Sequence, residues 1–330
     1  MLKRTLTALV LLVVVAGFML GAYFVSPIFV DMLILLFMAG AVYEMFKCFK
    51  SAGYKMFLAP IVVMLLTAYP AFYLMQHFIG NGSVQTSAGL QGLLISFLLS
   101  AMIALTIFTF KPAKHTQKEI ADAEEKDIAL EPDSPNACEL KDLLANVFIL
   151  VYPMLFLTSA WIVSYKYSAL FAVLFAIFVP TLGGDAFAYW FGSMIGGKKL
   201  CPKISPKKTV AGGVGGLIGG MVISIIFWVL FELCADSYPA FISACGYTSF
   251  ISHAIDGWQW KSALIYLAIG LVCGVISELG DLAASRIKRA IGIKDYGKIF
   301  PGHGGFMDRI DSIMYCLVIL LVAFSCIYGY

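Results

Sequence analysis

A segment close to the C-terminus carries side chains that suit metal and phosphate chemistry. Asp308, Arg309 and Asp311 stand directly before an apolar run, and Asp281 lies at the end of the preceding one. Carboxylates at the edge of the hydrocarbon are costly unless they are paired or bind a metal, so they are functional candidates. Oxygen-only ligands favour Mg²⁺, which takes one or two carboxylates together with substrate phosphates. We therefore interpret Asp281 and Asp308 as Mg²⁺ ligands.

Cations and hydroxyls accompany these carboxylates. If the helix before them continues past residue 280, it places one set of polar residues on a single face: Asp281, Ser285, Lys288 and Arg289. The alternative to metal binding is a cluster of Asp–Arg salt bridges that joins two helix ends, and for Asp311 and Arg309 it stays open beside a direct role. The unperturbed pKa of a histidine suits a general base, but between the glycines of "FPGHGG" a structural or phosphate-contacting role fits His303 as well.

A second polar segment, residues 183 to 216, begins with Asp185 inside an apolar run and then collects five lysines. Its "SPKKT" stretch holds Ser205, Lys207, Lys208 and Thr209 on a predicted turn preset by Pro206. Lysines bind phosphate as point charges, and backbone amides at the start of the following helix add donors. The alternative is that these lysines only fix membrane topology or touch anionic lipid. The Walker spacing is absent from the sequence, which excludes the common ATP loop.

The composition places these segments in a membrane protein. The sequence is 61% hydrophobic and 13% charged, far from a soluble domain, and its net charge of +3 gives no reason to expect nucleic acid binding. Continuous apolar runs without alternation predict helices, because only helices and closed barrels satisfy their backbone in lipid. The runs lie near 5–25, 28–47, 56–78, 88–110, 143–163, 168–192, 213–233, 262–283 and 312–328. We predict an all-α polytopic integral membrane protein with about nine transmembrane helices.

Basic residues alternate between the predicted loops. Lysines and arginines gather at the N-terminus and in every second loop, so the positive-inside tendency predicts a cytoplasmic N-terminus and a C-terminus on the far side. The first run resembles a signal peptide but lacks a clear cleavage site, and we interpret it as a retained span. We divide the chain into a four-span part at 1–110, a polar cytoplasmic linker at 111–142, and a five-span catalytic part at 143–330.

Residues 285 to 311, "SRIKRAIGIKDYGKIFPGHGGFMDRID", closely resemble the signature of the phosphatidate cytidylyltransferases (CDP-diacylglycerol synthases). The matching positions are Ser285, Lys288, Arg289, Lys294, Asp295, Pro301, His303, Gly304, Gly305, Asp308, Arg309 and Asp311. "GDLAAS" (280–285), "DAFAYWFG" (185–192) and "SPKKT" (205–209) also look like motifs of that family. The resemblance covers roughly residues 150 to 330.

This resemblance implies that CTP and phosphatidic acid react to give CDP-diacylglycerol and pyrophosphate for phospholipid biosynthesis. It implies Mg²⁺ on Asp281 and Asp308, with a second cation such as K⁺ beside it. The predicted catalytic residues are Asp281, Asp308, Lys288, Arg289, Asp311 and His303. The predicted substrate-binding residues are Ser205, Lys207, Lys208, Thr209, Ser285, Lys294, Arg309 and Asp185.

Two positions depart from the family pattern. Ala211 stands where a glutamate commonly follows "SPKKT", and Ser193 stands where a basic residue commonly follows the glycine of the aspartate motif. Neither departure removes a proposed metal ligand. They put nucleotide affinity in doubt rather than the type of reaction.

The expected partners are CTP, phosphatidic acid and the lipid bilayer, with no nucleic acid and with a homodimer left open. The expected location is a bacterial inner membrane, with the active site on its cytoplasmic side. A CTP-dependent polyprenol kinase is the nearest alternative, although the full signature argues against it, and the aspartate motif of CDP-alcohol phosphotransferases is not found. A cation-coupled transporter would place its carboxylates near the middle of the bilayer instead.

Overall fold

The computed structural model describes residues 2–26, 28–78, 86–110, 137–164, 169–202, 204–234, 237–239, 259–300 and 304–328. These ranges are almost entirely helical. Their exceptions are a two-stranded antiparallel hairpin and an isolated bridge between Phe300 and Gly304. The predicted all-α class is therefore confirmed, with this small hairpin as a local departure.

The helices follow one another in chain order. They are α1 (Leu2–Phe24), α2 (Ile28–Ser51), α3 (Leu58–Phe78), α4 (Thr86–Phe110), α5 (Leu140–Ile149), α6 (Phe156–Val163), α7 (Ala169–Phe178), α8 (Phe187–Ile195), α9 (Val210–Trp228), α10 (Gln259–Ala290) and α11 (Met307–Tyr328). Strands β1 (Lys199–Cys201) and β2 (Ser205–Thr209) lie between α8 and α9. Wider π-helical turns join α5 to α6 at Leu150–Leu155 and α7 to α8 at Val179–Ala186, and a third ends α9 at Val229–Leu233.

Eight helical segments of the described chain are long and apolar enough to cross a membrane. The 23-residue helix α1 precedes them and brings the number near the predicted nine. Large apolar side chains lie exposed on these segments: Leu66 is 68% exposed, Met102 65% and Phe110 82%. A soluble protein rarely exposes such a continuous apolar surface, whereas lipid covers it at no cost. The chain is an integral membrane protein.

The chain forms two compact units, and the first of them consists of Met45–Leu155. Here α3 and α4 pack closely because α4 carries glycines at the contact. A side chain at Gly92 would overlap the carbonyl of Ala71, and small residues of this kind let helices approach in lipid. Asp142 and Asn146 of α5 also accept the N–H groups of Lys55 and Phe57, at 3.0 and 2.6 Å, so both buried polar side chains have partners.

The second unit consists of Met1–Glu44 and Phe156–Tyr330. Its packing depends on the glycines of α9. A side chain at Gly219 would overlap the carbonyl oxygen of Gly183, and one at Gly220 would lie 2.6 Å from the carbonyl oxygen of Gly270. Helix α9 can therefore pack against both the π-helical turn before α8 and the middle of α10. The predicted division at 110 and 142 stays a prediction, and residues 111–136 of the linker lie outside the described residues.

One local prediction is wrong. "SPKKT" is not a turn but strand β2, in which Ser205 pairs with Cys201 and Thr209 pairs with Lys199. The chain reverses before Ser205 instead. Pro206 is tolerated because both strands of an isolated hairpin are edge strands, where a proline need not break a ladder. In this strand, whose register against β1 is irregular, the two lysines differ in exposure: Lys207 is exposed and Lys208 is half-buried.

Candidate active site

Helices α10 and α11 and the turn before α8 bring most of the predicted charged residues to one cavity. Its charged end is lined by Asp185, Asp281, Lys288, Lys294, Asp308, Arg309 and Asp311. The predicted continuation of the helix past residue 280 is confirmed, because α10 extends to Ala290. Gly280 lets the two helices meet here, since a side chain at this position would lie 2.8 Å from the carbonyl oxygen of Asp311. The carboxylates at the ends of consecutive helices therefore share one space.

Lys208 connects strand β2 to this group. Its ammonium nitrogen lies 2.6 Å from Oδ2 of Asp281 and 2.5 Å from Oε2 of Glu278. Burial disfavours the charged form of Lys208, but the Asp281 and Glu278 carboxylates outweigh it and hold the pKa of the ammonium above its ordinary value. Lys208 is therefore a fixed positive charge at neutral pH, while Lys207 is exposed.

Asp308 is fixed by three donors. Its Oδ1 lies 2.8 Å from the Lys288 ammonium, and its Oδ2 accepts the N–H groups of Tyr296 at 2.9 Å and Gly305 at 3.0 Å. The Asp308 and Lys288 side chains are only 5% and 11% exposed. The Lys288 ammonium also lies 5.4 Å from the centre of the Tyr296 ring, within the range of a cation–π contact. Asp308 thus has one defined position at the start of α11.

Asp311 and Arg309 do not pair with each other among the described residues. Asp311 is buried, and its Oδ1 accepts the N–H of Ser312 at 2.9 Å. Arg309, one position after Asp308, is exposed where it lines the cavity. The ion pairs that the described residues form at these helix ends join lysines to carboxylates, rather than aspartate to arginine as in the alternative cluster.

Other predicted residues lie outside the lining of the cavity. Arg289 is exposed and donates to the carbonyl oxygen of Ile293 at 3.2 Å, beyond the end of α10. Thr209 is the N-cap of α9, where its hydroxyl accepts the N–H of Gly212 at 3.0 Å. Ser205 and Ser285 are half-buried. The functional roles of these residues stay predictions, and His303 lies outside the described residues.

The donors in the cavity fit Mg²⁺ in their chemistry. Asp185, Asp281, Asp308 and Asp311 offer oxygen atoms alone, which a hard cation prefers. Of the two Asp281 oxygens, Oδ1 has no hydrogen bond or ion pair to any described residue. Those residues hold no compact set of three acidic, histidine or cysteine ligands. Mg²⁺ commonly completes its coordination with water and substrate phosphates, so it does not require a closed protein cage.

Two residues near Asp308 escaped the sequence analysis. Tyr296 acts through its backbone amide, which has no signature in a sequence. Glu44 on α2 is 3% exposed, and its Oε2 accepts the N–H of Met307 at 3.0 Å. The available signal was a carboxylate in the interior of the apolar run 28–47, whose other acidic residue, Asp31, stands near its start. Such a group is costly in lipid unless it has a function.

Comparisons with known proteins identify the family of this chain. The model of the cytidylyltransferase family matches residues 2–327. A phosphatidate cytidylyltransferase of Mycobacterium bovis is 26% identical over 282 residues, which cover 83% of this chain and 73% of that protein. One of Mycobacterium leprae is 29% identical over 180 residues, covering 53% of this chain and 47% of that protein. One of Staphylococcus aureus is 30% identical over 148 residues, covering 45% and 46%.

The chain thus spans about half the length of the M. leprae and S. aureus relatives and about three quarters of the M. bovis protein. The family match, by contrast, runs through α1 as well as through both charged helix ends. The chain belongs to the cytidylyltransferase family.

Proposed function

We propose that this protein transfers the cytidylyl group of CTP to phosphatidic acid, giving CDP-diacylglycerol and pyrophosphate. The observation that carries the proposal is the lining of one cavity, which combines a group of charged side chains with many apolar ones. The cytidylyltransferase family supplies the nucleotide side of the reaction. The cavity supplies the reason to expect a lipid phosphate as the acceptor.

The apolar part of the cavity is lined by several helices, among them α1, α2 and α7. It is lined by Val15 and Met19 of α1, Leu33 and Phe37 of α2, and Val173 and Ile177 of α7. The volume of the cavity is about 1430 Å³, more than the roughly 300–1,000 Å³ of sites for small ligands. A diacyl phosphate matches both the size and the division into apolar and charged parts. The acyl chains would lie along α1, α2 and α7, with the phosphate among the lysines.

The chemistry needs positioning more than proton transfer. A phosphate oxygen of phosphatidic acid attacks the α-phosphorus of CTP, and the bond from that phosphorus to the bridging β-phosphate oxygen breaks. Pyrophosphate leaves with that electron pair. The attacking oxygen is already an anion, so no strong general base is required, and charge neutralisation with in-line alignment supplies the catalysis.

The described residues provide this neutralisation from two sides. Lys288 is held by Asp308 at the cavity, and Arg309 is exposed beside it, so both can meet phosphate oxygens. Asp281 and Asp308 would hold Mg²⁺, with Asp281 offering the less occupied carboxylate. When bound there, Mg²⁺ would neutralise charge on the nucleotide phosphates. A second cation such as K⁺, and a homodimer, remain predictions.

We also place the charged end of the cavity at the cytoplasmic face of a bacterial inner membrane. The support is the positive-inside tendency, because the segments around Lys208 and Lys288 hold 11 of the 23 lysines and arginines. CTP would reach this end from water, and phosphatidic acid would enter from the adjacent leaflet.

Labelled CTP tests the proposal. Purified protein in detergent is given phosphatidic acid and CTP labelled at either the α- or the γ-phosphorus, with Mg²⁺ present or chelated. We expect the α-label in the lipid, the γ-label in pyrophosphate, and no turnover without a divalent cation. A γ-label in the lipid would identify a kinase and overturn the proposal. Absence of both labels from the lipid would overturn it as well.

A further inference from the structure

The buried carboxylate of Glu44 has no role in the reaction proposed above, yet it lies under the start of α11. Its Oε2 accepts the N–H of Met307 at 3.0 Å, one residue before Asp308. Its Oε1 is fully buried and has no hydrogen-bond partner among the described residues. Burying a carboxylate is costly unless something is gained from its position. Glu44 therefore calls for an explanation.

The face of α2 that carries Glu44 contacts the same short segment elsewhere. Phe37, Gly40 and Glu44 recur at helical spacing, and the Phe37 ring packs edge-on against the Phe306 ring at 5.4 Å. A side chain at Gly40 would lie 2.5 Å from the Phe306 ring. Helix α2 thus supports residues 305–307 through an aromatic contact, a close approach and a hydrogen bond.

Gly297 and the signature residue Gly305 form the slot that Glu44 occupies. A side chain at Gly297 or at Gly305 would overlap the Glu44 carboxylate. Gly305 in turn donates its N–H to Oδ2 of Asp308 at 3.0 Å. The lack of a side chain at these two glycines therefore makes room for the Glu44 carboxylate, in addition to any effect of glycine on backbone flexibility.

Two carboxylates consequently divide the free amides at the beginning of α11. Glu44 accepts from Met307 and Asp308 accepts from Gly305, while Asp308 also accepts from Tyr296 in the loop before this helix. Amides at a helix start have no partner within the helix, and the positive end of the helix dipole favours negative charge there. Removing either carboxylate frees an amide that the other cannot reach without moving.

We infer that Glu44 is a positioning residue, which fixes the segment 304–308 and through it the side chain of Asp308. The catalytic part of this inference rests on the proposed function, whereas the structural part does not. It assigns the second helix of the chain to the active site, although the recognisable motifs all lie beyond residue 180.

The test compares Glu44→Ala, Glu44→Gln and the control Gln76→Ala. Gln76 is a matched control because its buried side chain also accepts a hydrogen bond from a backbone N–H, that of Gly89, at 3.1 Å. This hydrogen bond lies within the unit Met45–Leu155. For each protein, hydrogen–deuterium exchange of peptides covering 304–310 is measured together with kcat and with KM for both substrates.

For Glu44→Ala we expect exchange in 304–310 to accelerate at least tenfold and kcat to fall at least tenfold, with each KM changed less than threefold. Glu44→Gln keeps an oxygen for the Met307 amide and should recover most of kcat and of the protection. Gln76→Ala should change neither. Unchanged exchange at 304–310 in Glu44→Ala, or equal loss in Glu44→Gln and Glu44→Ala, would overturn the inference.

A double variant keeps the inference testable if Glu44→Ala folds poorly. As a single substitution, Gly305→Ala should accelerate exchange in 304–310, because the new methyl group collides with the Glu44 carboxylate. In the double variant with Glu44→Ala, it should accelerate exchange little beyond the effect of Glu44→Ala alone. Additive effects would contradict the proposed slot. Failure of the proposed function is distinguishable, since it would appear as absent turnover in the unsubstituted protein while the exchange measurements still apply.

Discussion

The ammonium nitrogen of Lys208 lies 2.6 Å from Oδ2 of Asp281, which joins strand β2 to the cytidylyltransferase motif on α10. Lys207, its neighbour in the sequence, is exposed. The two adjacent lysines therefore lie in two different environments. One lysine belongs to a buried network with Asp281 and Glu278, and the other faces outward.

We predict that Lys208→Met and Lys207→Met have different consequences. Lys208→Met leaves Asp281 and Glu278 as neighbouring partly buried carboxylates without their cation, so it should lower Tm and reduce kcat/KM at least tenfold. Lys207→Met should leave Tm unchanged, and any rise in KM for CTP should shrink at high salt. Thermal unfolding and steady-state kinetics in detergent provide the measurements.

A second substitution tests why Lys208→Met lowers Tm. If Lys208 acts by neutralising Glu278, Glu278→Gln should restore part of the Tm that Lys208→Met loses, because the double variant has one carboxylate fewer. Simple additivity of the two losses in Tm would contradict this explanation.

Asp281→Asn and Asp308→Asn should both abolish turnover but should differ in stability. Asp281 is 29% exposed and keeps one oxygen without a described partner, so its substitution should change Tm little. Asp308 is 5% exposed and accepts three donors. Breaking such a buried pair costs about 3–5 kcal/mol, so Asp308→Asn should lower Tm by several degrees.

Turnover of α-labelled CTP and thermal unfolding distinguish the two variants. Retained turnover in either one would contradict the role of that residue as a metal ligand. Equal losses of Tm would contradict the different environments of the two carboxylates.

Filling the apolar part of the cavity should select against long lipids. Val15 lines this part, whereas Val13 on the same helix is 62% exposed and lies outside the lining. Val15→Trp should raise KM for a dioleoyl phosphatidic acid at least fivefold, with little effect on a dihexanoyl substrate or on KM for CTP. Val13→Trp is the matched control and should leave all three values unchanged. The same KM shift for short and long chains would exclude the acyl-chain assignment.

Two glycines of α9 should respond in opposite ways to alanine. A side chain at Gly219 would overlap the backbone of Gly183, in the turn that carries Asp185, so Gly219→Ala should separate these elements and lower both Tm and kcat. At Gly213 the nearest atom would be Cδ2 of Leu200 at 3.7 Å, which is ordinary contact.

Gly213→Ala should therefore be neutral, or stabilising by up to about 1 kcal/mol, because alanine favours the helix. The comparison requires only thermal unfolding and specific activity. A Gly219→Ala protein as stable and active as Gly213→Ala would show that the close approach is not needed.

Several features could be predicted from the sequence because they depend on local chemistry. Long apolar runs can only become helices in lipid, so the all-α membrane fold and the approximate number of spans were predictable. The spacing predicted that Asp281 and Lys288 lie on one side of a helix, where both line the cavity, although Arg289 does not. The polar start of α11 was equally visible. These properties depend on residues close together in the chain and on the solvent around them.

Only the tertiary structure determined which charges meet. Lys208 pairs with Glu278 across 70 residues, and Glu44 reaches Met307 across 263. Whether a lysine faces a carboxylate or solvent depended on an unforeseen strand, in which Lys207 is exposed and Lys208 is half-buried. The close packing of glycine-bearing helices brings such partners together. The residue pattern of a single helix does not predict which distant surface will pack against it.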